Sequence, residues 1–173
     1  MLHVCSLSRL AETVERTGAS HVLTVISAHT PVRRPPGIEP DNHLYLGFDD
    51  ITAPMEGFSP PARAHVEQVL DFAREWDRAA PMVVHCWAGI SRSTASAYAI
   101  ACALHPEADE MALAAALRRA SPSATPNRLM VQFADDILGR NGRMSRAIAS
   151  IGRGADAYEG KPFALWPPDL AKS

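Results

Sequence analysis

The sequence predicts an α/β fold: a mainly parallel central sheet flanked by helices in a three-layer sandwich. Three observations carry this. Short β-branched runs alternate with stretches of helical period along the chain. One of those runs, His21–Ser27 (HVLTVIS), is nearly continuously apolar, as a strand covered on both faces is, and another, Met82-Val83-Val84, is a short apolar run. One strand also passes straight into a tight loop and then an alanine-rich helix, through His85-Cys86-Trp87-Ala88-Gly89-Ile90-Ser91-Arg92-Ser93. Open α/β sheets place their ligands at such strand ends.

The elements follow in order. Leu2-His3-Val4-Cys5 is a first strand. Ser6 to Thr17 sets Leu7, Leu10 and Val14 at helical spacing and ends at Gly18. His21–Ser27 is the second strand. His29 to Asn42, with Pro31, Pro35, Pro36, Gly37 and Pro40, is a loop. His43–Phe48 alternates as a third strand, and Asp49 to Pro61 is a second loop. Ser59 with two prolines behind it opens a helix that aligns Val66, Val69, Leu70, Ala73 and Trp76 before Pro81 breaks it. After the strand Met82–His85 and the central loop, Ser93–Leu104 is a helix apolar on all sides, hence buried. Asp109–Ala120 is the next helix, Ser121–Pro126 a turn, and Asn127–Gly139 a last core helix with Met130, Phe133 and Ile137 in line. The helices after the central loop stack on one face. Ser145–Ile151 continues as helix, and the glycines and prolines beyond it predict an irregular tail pinned by Phe163 and Trp166.

Length and composition bound the function. A chain of 173 residues with 47% hydrophobic content forms a single globular body with a sizeable core. Residues 1–140 are expected to form the functional domain, with 141–173 a helical and irregular extension packed on it. A formal net charge of −2 argues against a nucleic-acid partner. Cys5, Cys86 and Cys102 are too few and too scattered for a disulfide framework or a zinc site. No cofactor or metal is expected. The first ten residues lack a signal-peptide pattern, and the longest apolar stretch, Ala97–Leu104, is far below the ~20 residues of a membrane span. These features predict a cytoplasmic protein with no membrane span.

The chemistry concentrates in the central loop. A loop that feeds a helix N-terminus presents backbone N–H groups and a positive dipole end, so it binds phosphate- or sulfate-like anions. A cysteine there is poised as a nucleophile. Arg92, six positions after Cys86, is poorly placed at a helix start unless an anion is expected there, and its planar fork suits two phosphoryl oxygens. Gly89 permits a positive φ or a close backbone approach. Ser93 is a helix-start residue whose hydroxyl can also reach the Cys86 sulfur. His85 ends the strand pointing away from the anion and braces the loop. Trp87, Ala88, Ile90 and Ser91 complete the cradle. Expelling an alkoxide or phenoxide needs a proton donor. Asp49-Asp50 follows the third strand on the same sheet edge, and one of the two is expected to serve, although such a pair also simply starts turns.

His85-Cys86-X5-Arg92-Ser93 resembles the HCX5R(S/T) signature of the cysteine-dependent protein tyrosine phosphatase superfamily. The preceding β-run, Ala88-Gly89 and the final hydroxyl match as well, over about residues 1 to 139. Phe48-Asp49-Asp50 resembles the acid loop of the compact dual-specificity and PRL-like members. By that resemblance Asp50, 36 residues before the cysteine, is the general acid, with Asp49 the fallback. Ser123-Ala124-Thr125-Pro126-Asn127 resembles the turn that buttresses the phosphate loop. Asn127 is therefore a supporting residue, or a plain helix N-cap. The longer tyrosine-specific domains carry a phosphotyrosine-recognition loop with no counterpart here, so the compact dual-specificity type fits best.

The resemblance and the residue chemistry imply a metal-free phosphomonoester hydrolase working through a phosphocysteine on a phosphorylated protein or small phosphoester. Arg92 and the N–H groups of residues 87 to 92 hold the phosphate, Cys86 attacks, Asp50 protonates the leaving group and Ser93 aids the departure of Cys86. A sulfurtransferase has no use for the acid or for Ser93, and a non-catalytic phosphate-binding module has no use for all three of Cys86, Arg92 and the acid. The loop holds no lysine, which disfavours phosphoinositides and leaves phosphotyrosine in front. Arg33-Arg34 in the proline-rich loop offers a distal positive contact, although such a pair is more often simply a solvated loop.

Overall fold

The apolar runs become parallel neighbours in the computed structural model, which describes residues 1–165. Strands β1 (Leu2–Ser6), β2 (His21–Ile26), β3 (His43–Gly47), β4 (Met82–Cys86) and β5 (Phe163–Leu165) form one sheet of order β3-β2-β4-β1-β5. The first four are mutually parallel, and β5 adds antiparallel to β1 at the edge. β4 is central and buried along its whole length. Each buried Met or Val there is worth about 2 kcal/mol of removed apolar surface.

Side-chain alternation splits the core in two. On one face Cys5, Val22 and Val83 pack against Leu10 and Val14 of helix α1 (Leu10–Thr17), with Ile38 of the proline-rich loop closing the layer. On the other face Val4, Leu23, Val25 and Val84 meet the main core. That core is built by helices α2 (Arg63–Glu75), α3 (Arg92–Leu104), α4 (Glu110–Ala120), α5 (Arg128–Ile137) and α6 (Arg143–Ile151). In α3 every residue from Arg92 to Cys102 is buried, because small side chains let the sheet and the other helices close on it from all sides. Among the described residues the three layers are thus unequal: one α-helix below the sheet, five above.

Several boundaries shift for local reasons. The first helix does not begin at Ser6; that residue ends β1, and a 3-10 turn at Leu7–Arg9 precedes α1. Ser59 and its prolines do not open α2, because Ser59 exchanges backbone and side-chain hydrogen bonds with Asp49 and so belongs to the preceding loop. α2 begins at Arg63, where His65 Nδ1 accepts from the Ala62 N–H. α2 also ends before Trp76, which caps it, and Pro81 is not what breaks it. The tail is not wholly irregular, since Phe163–Leu165 satisfies the open edge of β1. Trp166, expected to pin the tail, lies outside the described residues. No described helix is long and apolar enough to cross a membrane.

Candidate active site

Parallel pairing brings Ser6 level with Cys86 and Ile26 level with Gly47, so the carboxyl ends of four strands share one edge. Cys86 is the last residue of β4 and is 2% exposed, at the floor of a cavity of about 320 Å³. Its sulfur meets two donors: the Ser93 hydroxyl at 3.1 Å and the Gly89 N–H at 3.2 Å. Gly89 adopts φ 70°, and a Cβ there would stand 2.8 Å from the Cys5 carbonyl carbon and the Ser6 nitrogen. Both the backbone sign and the space demand glycine.

Arg92 opens α3 and its guanidinium is buried, 6% exposed, in the cavity wall. One terminal nitrogen donates to the Phe48 carbonyl at 2.7 Å, which ties the loop to the start of the Asp49–Asp50 segment. Its Nε is buried with no hydrogen bond to any described residue. A buried donor without an acceptor is unfavourable. A bidentate oxyanion in the cavity would satisfy it.

The two aspartates part company. Asp49 turns back on its own loop, where its carboxylate accepts from the Ser59 N–H at 2.9 Å. That bond, then the Ser27 hydroxyl and the Arg92 charge, hold its carboxyl below the usual carboxylate range. Asp50 lines the Cys86 cavity instead. Its Oδ1 accepts from the Ser91 hydroxyl at 2.7 Å and from Asn127 Nδ2 at 2.8 Å.

Asn127 uses the two atoms of its amide on different partners. Its Oδ1 caps α5 by accepting from the Leu129 and Met130 N–H groups at 3.1 and 3.2 Å, while its Nδ2 holds Asp50. The turn before it buttresses the central loop: the Thr125 N–H donates to the Ile90 carbonyl and the Asn127 N–H to the Ser91 carbonyl.

His85 is fully buried, and its Nε2 shares the Thr24 hydroxyl with His43 Nε2, at 2.7 and 2.8 Å. Burial pushes its imidazole down to about 4, only partly opposed by the Cys86 backbone. It is a neutral brace. Trp87, Ala88, Ile90 and Ser91 line the cavity with Arg92, whereas Gly89 spends its N–H on the sulfur. Arg33 and Arg34 are not among the lining residues. No described group of three or more His, Cys, Asp or Glu residues is placed to hold a metal.

Residues 13–107 match the family model described as "Polymorphic toxin system, DSP-PTPase phosphatase". The chain belongs to this family. It is a cysteine-dependent phosphatase of the protein tyrosine and dual-specificity type, as the signature in its central loop predicts. Solved phosphatases share the fold of this DSP-PTPase. Cydia pomonella PTP-2 phosphatase aligns with TM-score 0.61 and 16% identity over 78% of this chain and 84% of that one. DUSP15 aligns with TM-score 0.60 and 18% identity over 86% and 90%. PTPMT1 in complex with PI(5)P aligns with TM-score 0.58 and 18% identity over 82% and 94%. No curated protein matches the sequence.

The DSP-PTPase match ends at residue 107, yet the cavity does not. Ala157 and Tyr158 of the tail also line it, as do Ser27 and Thr30 after β2. Nothing in the local sequence announces these. They reach the site through chain folding, and only the glycines at 154 and 160 mark a segment able to hug another backbone.

Proposed function

We propose that this phosphatase hydrolyses phosphotyrosine, alone or with dual specificity, in two steps through a phosphocysteine. The observation that carries this is the convergence on one cavity of Cys86, Arg92 and Asp50, with the Ser93 hydroxyl against the sulfur. In the first step the Cys86 thiolate attacks phosphorus and the P–O bond breaks. Asp50 gives its proton to the leaving oxygen. In the second, water attacks phosphorus, Asp50 takes the water proton, and the S–P bond breaks. The Ser93 hydroxyl donates to the sulfur as it regains its charge. Arg92 Nε and the loop N–H groups hold the phosphoryl oxygens throughout, which supplies positioning and charge stabilisation. The reaction needs no metal, because the thiolate is itself a strong nucleophile.

Asp50 is the acid in this reading because it faces the cavity while Asp49 is tied to Ser59 and held ionised. A protein substrate fits the uncharged loop residues Trp87 to Ile90. The need to keep Cys86 as a free thiol favours a reducing compartment such as the cytoplasm. A panel of phosphopeptides, phosphoinositides and small phosphoesters tests this beside Cys86→Ser and Asp50→Asn. Cys86→Ser should abolish phosphate release on every substrate. Asp50→Asn should lower kcat by about 10²-fold or more on alkyl leaving groups, and less on nitrophenyl phosphate, whose leaving group needs no proton. A preference for PI(5)P, the ligand of the PTPMT1 complex, would reverse the substrate reading, and an unimpaired Asp50→Asn would move the acid elsewhere.

A further inference from the structure

The rim of the Cys86 cavity carries two large exposed aromatics from distant parts of the chain. Trp87 is 55% exposed and Tyr158 is 89% exposed, and both line the cavity. Both also line a second hollow of about 210 Å³ on the outer side, with Leu7, Ser8, Ala88 and Glu159. The two aromatics are thus common to both hollows.

Tyr158 is not on a loose end. The strap from Gly154 to Gly160 is fastened on both sides of it. Upstream, the Gly154 N–H donates to Thr125 Oγ1 at 3.0 Å and the Ala155 N–H to the Pro122 carbonyl at 2.9 Å. Downstream, the Glu159 carboxylate accepts from the Ser6 and Ser8 hydroxyls, and the Gly160 N–H donates to the Ala88 carbonyl at 2.8 Å. A Cβ on Gly160 would lie 3.0 Å from the Gly89 carbonyl oxygen, so the strap lies directly on the phosphate-binding loop. The two hydroxyls on Glu159 also hold its carboxyl below the usual range, which keeps this latch charged. The fastened backbone thus holds an exposed Tyr ring at the same cavity that the exposed Trp87 lines.

We propose that Tyr158 and Trp87 form an aromatic wall that grips the organic group of the phosphoester, and that the strap 154–160 is thereby part of the substrate site. The preferred substrate carries a flat apolar group on the phosphate, the phenyl ring of phosphotyrosine, over the short alkyl chain of phosphoserine. The ring stacks or packs edge-on against the wall while the phosphate sits over Cys86. This rests on the phosphatase reading above but is separable from it.

The test is calorimetric binding to Cys86→Ser protein of two peptides of identical flanking sequence, one with phosphotyrosine and one with phosphoserine. The phosphotyrosine preference should fall about fivefold with Tyr158→Ala and again with Trp87→Ala, and Tyr158→Phe should retain it. An unchanged preference in both alanine variants overturns the proposal. So does an equal loss on both peptides, which would mean that the strap only props the loop. Hydrolysis by the wild type and by Cys86→Ser is measured alongside. Turnover surviving in Cys86→Ser counts against the phosphocysteine reading alone, and the binding ratio decides the wall in either case.

Discussion

Asn127 joins two functions in one side chain, and substitution can pull them apart. Its Oδ1 accepts from two N–H groups at the start of α5, and its Nδ2 donates to Asp50 at 2.8 Å. Asn127→Ala removes both. Loss of a buried cap costs about 1 to 2 kcal/mol of stability. Asp50 also loses one of its two side-chain donors, leaving Ser91, and a misplaced acid lowers kcat by roughly 10- to 100-fold. Asn127→Asp keeps an acceptor on the cap, at a helix end that favours negative charge, so the capping contribution itself should be largely retained. It also sets a carboxylate against the Asp50 carboxylate, where two like charges at hydrogen-bond distance favour sharing a proton. The descending limb of the kcat/KM–pH profile should then move to higher pH. The assay is urea unfolding beside a pH–rate series on an alkyl phosphoester for wild type, Asn127→Ala and Asn127→Asp. If Asn127→Asp matched the wild-type pH profile, or if Asn127→Ala lost stability with no loss of kcat, the assignment of Asn127 as the holder of Asp50 would be wrong.

Three other outcomes follow from single contacts. Gly89→Ala must place a Cβ against backbone at 2.8 Å and at positive φ, so it should lose about 2 to 4 kcal/mol and nearly all activity, by urea unfolding and phosphate release. Retained activity would mean that the loop conformation is not needed. His85, pushed down to about 4 by burial, binds a proton more readily unfolded than folded, so stability should be full above about pH 6.5 and decline as pH falls toward 4. His85 contributes about 3 kcal/mol to that decline, and half-buried His3, His21, His43 and His65, all shifted down by burial, add in the same direction. His85→Gln should flatten the pH–stability curve, and an unchanged curve would refute the buried neutral histidine. Glu159→Gln weakens the strap latch by removing its charge and should raise hydrogen exchange at the Gly160 amide, whereas unchanged exchange would show that the hydroxyl contacts do not hold the strap.

The parts legible in the sequence are those governed by short-range patterns. The nearly continuous apolar, β-branched run His21–Ser27 reads as a strand covered on both faces, and β2 is buried from Val22 to Ile26 as that requires. Cys86, Arg92 and Ser93 lie within one turn of a strand–helix junction, so their mutual geometry follows from local chain direction. The choice between Asp49 and Asp50 was not local. It depends on Ser59, ten residues on, which holds Asp49, and on Asn127, much farther along the chain, which holds Asp50. The same holds for the start of α2: Ser59 and its prolines carry a helix-start pattern, but the bond to Asp49 outweighs it. The tail was least legible. Gly154 and Gly160 read as irregular chain because a glycine that permits close backbone approach looks the same in sequence as one that loosens a linker. Short β5 gains its stability from the open edge of β1, not from its own three residues.

In the proposed mechanism phosphorus passes through the Cys86 sulfur. Ser93→Ala removes the donor at 3.1 Å from that sulfur and should slow the second step more than the first. Turned over with nitrophenyl phosphate, quenched in acid and mapped by peptide mass spectrometry, this variant should carry one phosphoryl group on the peptide containing Cys86, and none once Cys86 is replaced by serine. Burst release of nitrophenol equal to the enzyme present should accompany it. Phosphate on any other residue, or full turnover with no phosphopeptide and no burst, would contradict the mechanism.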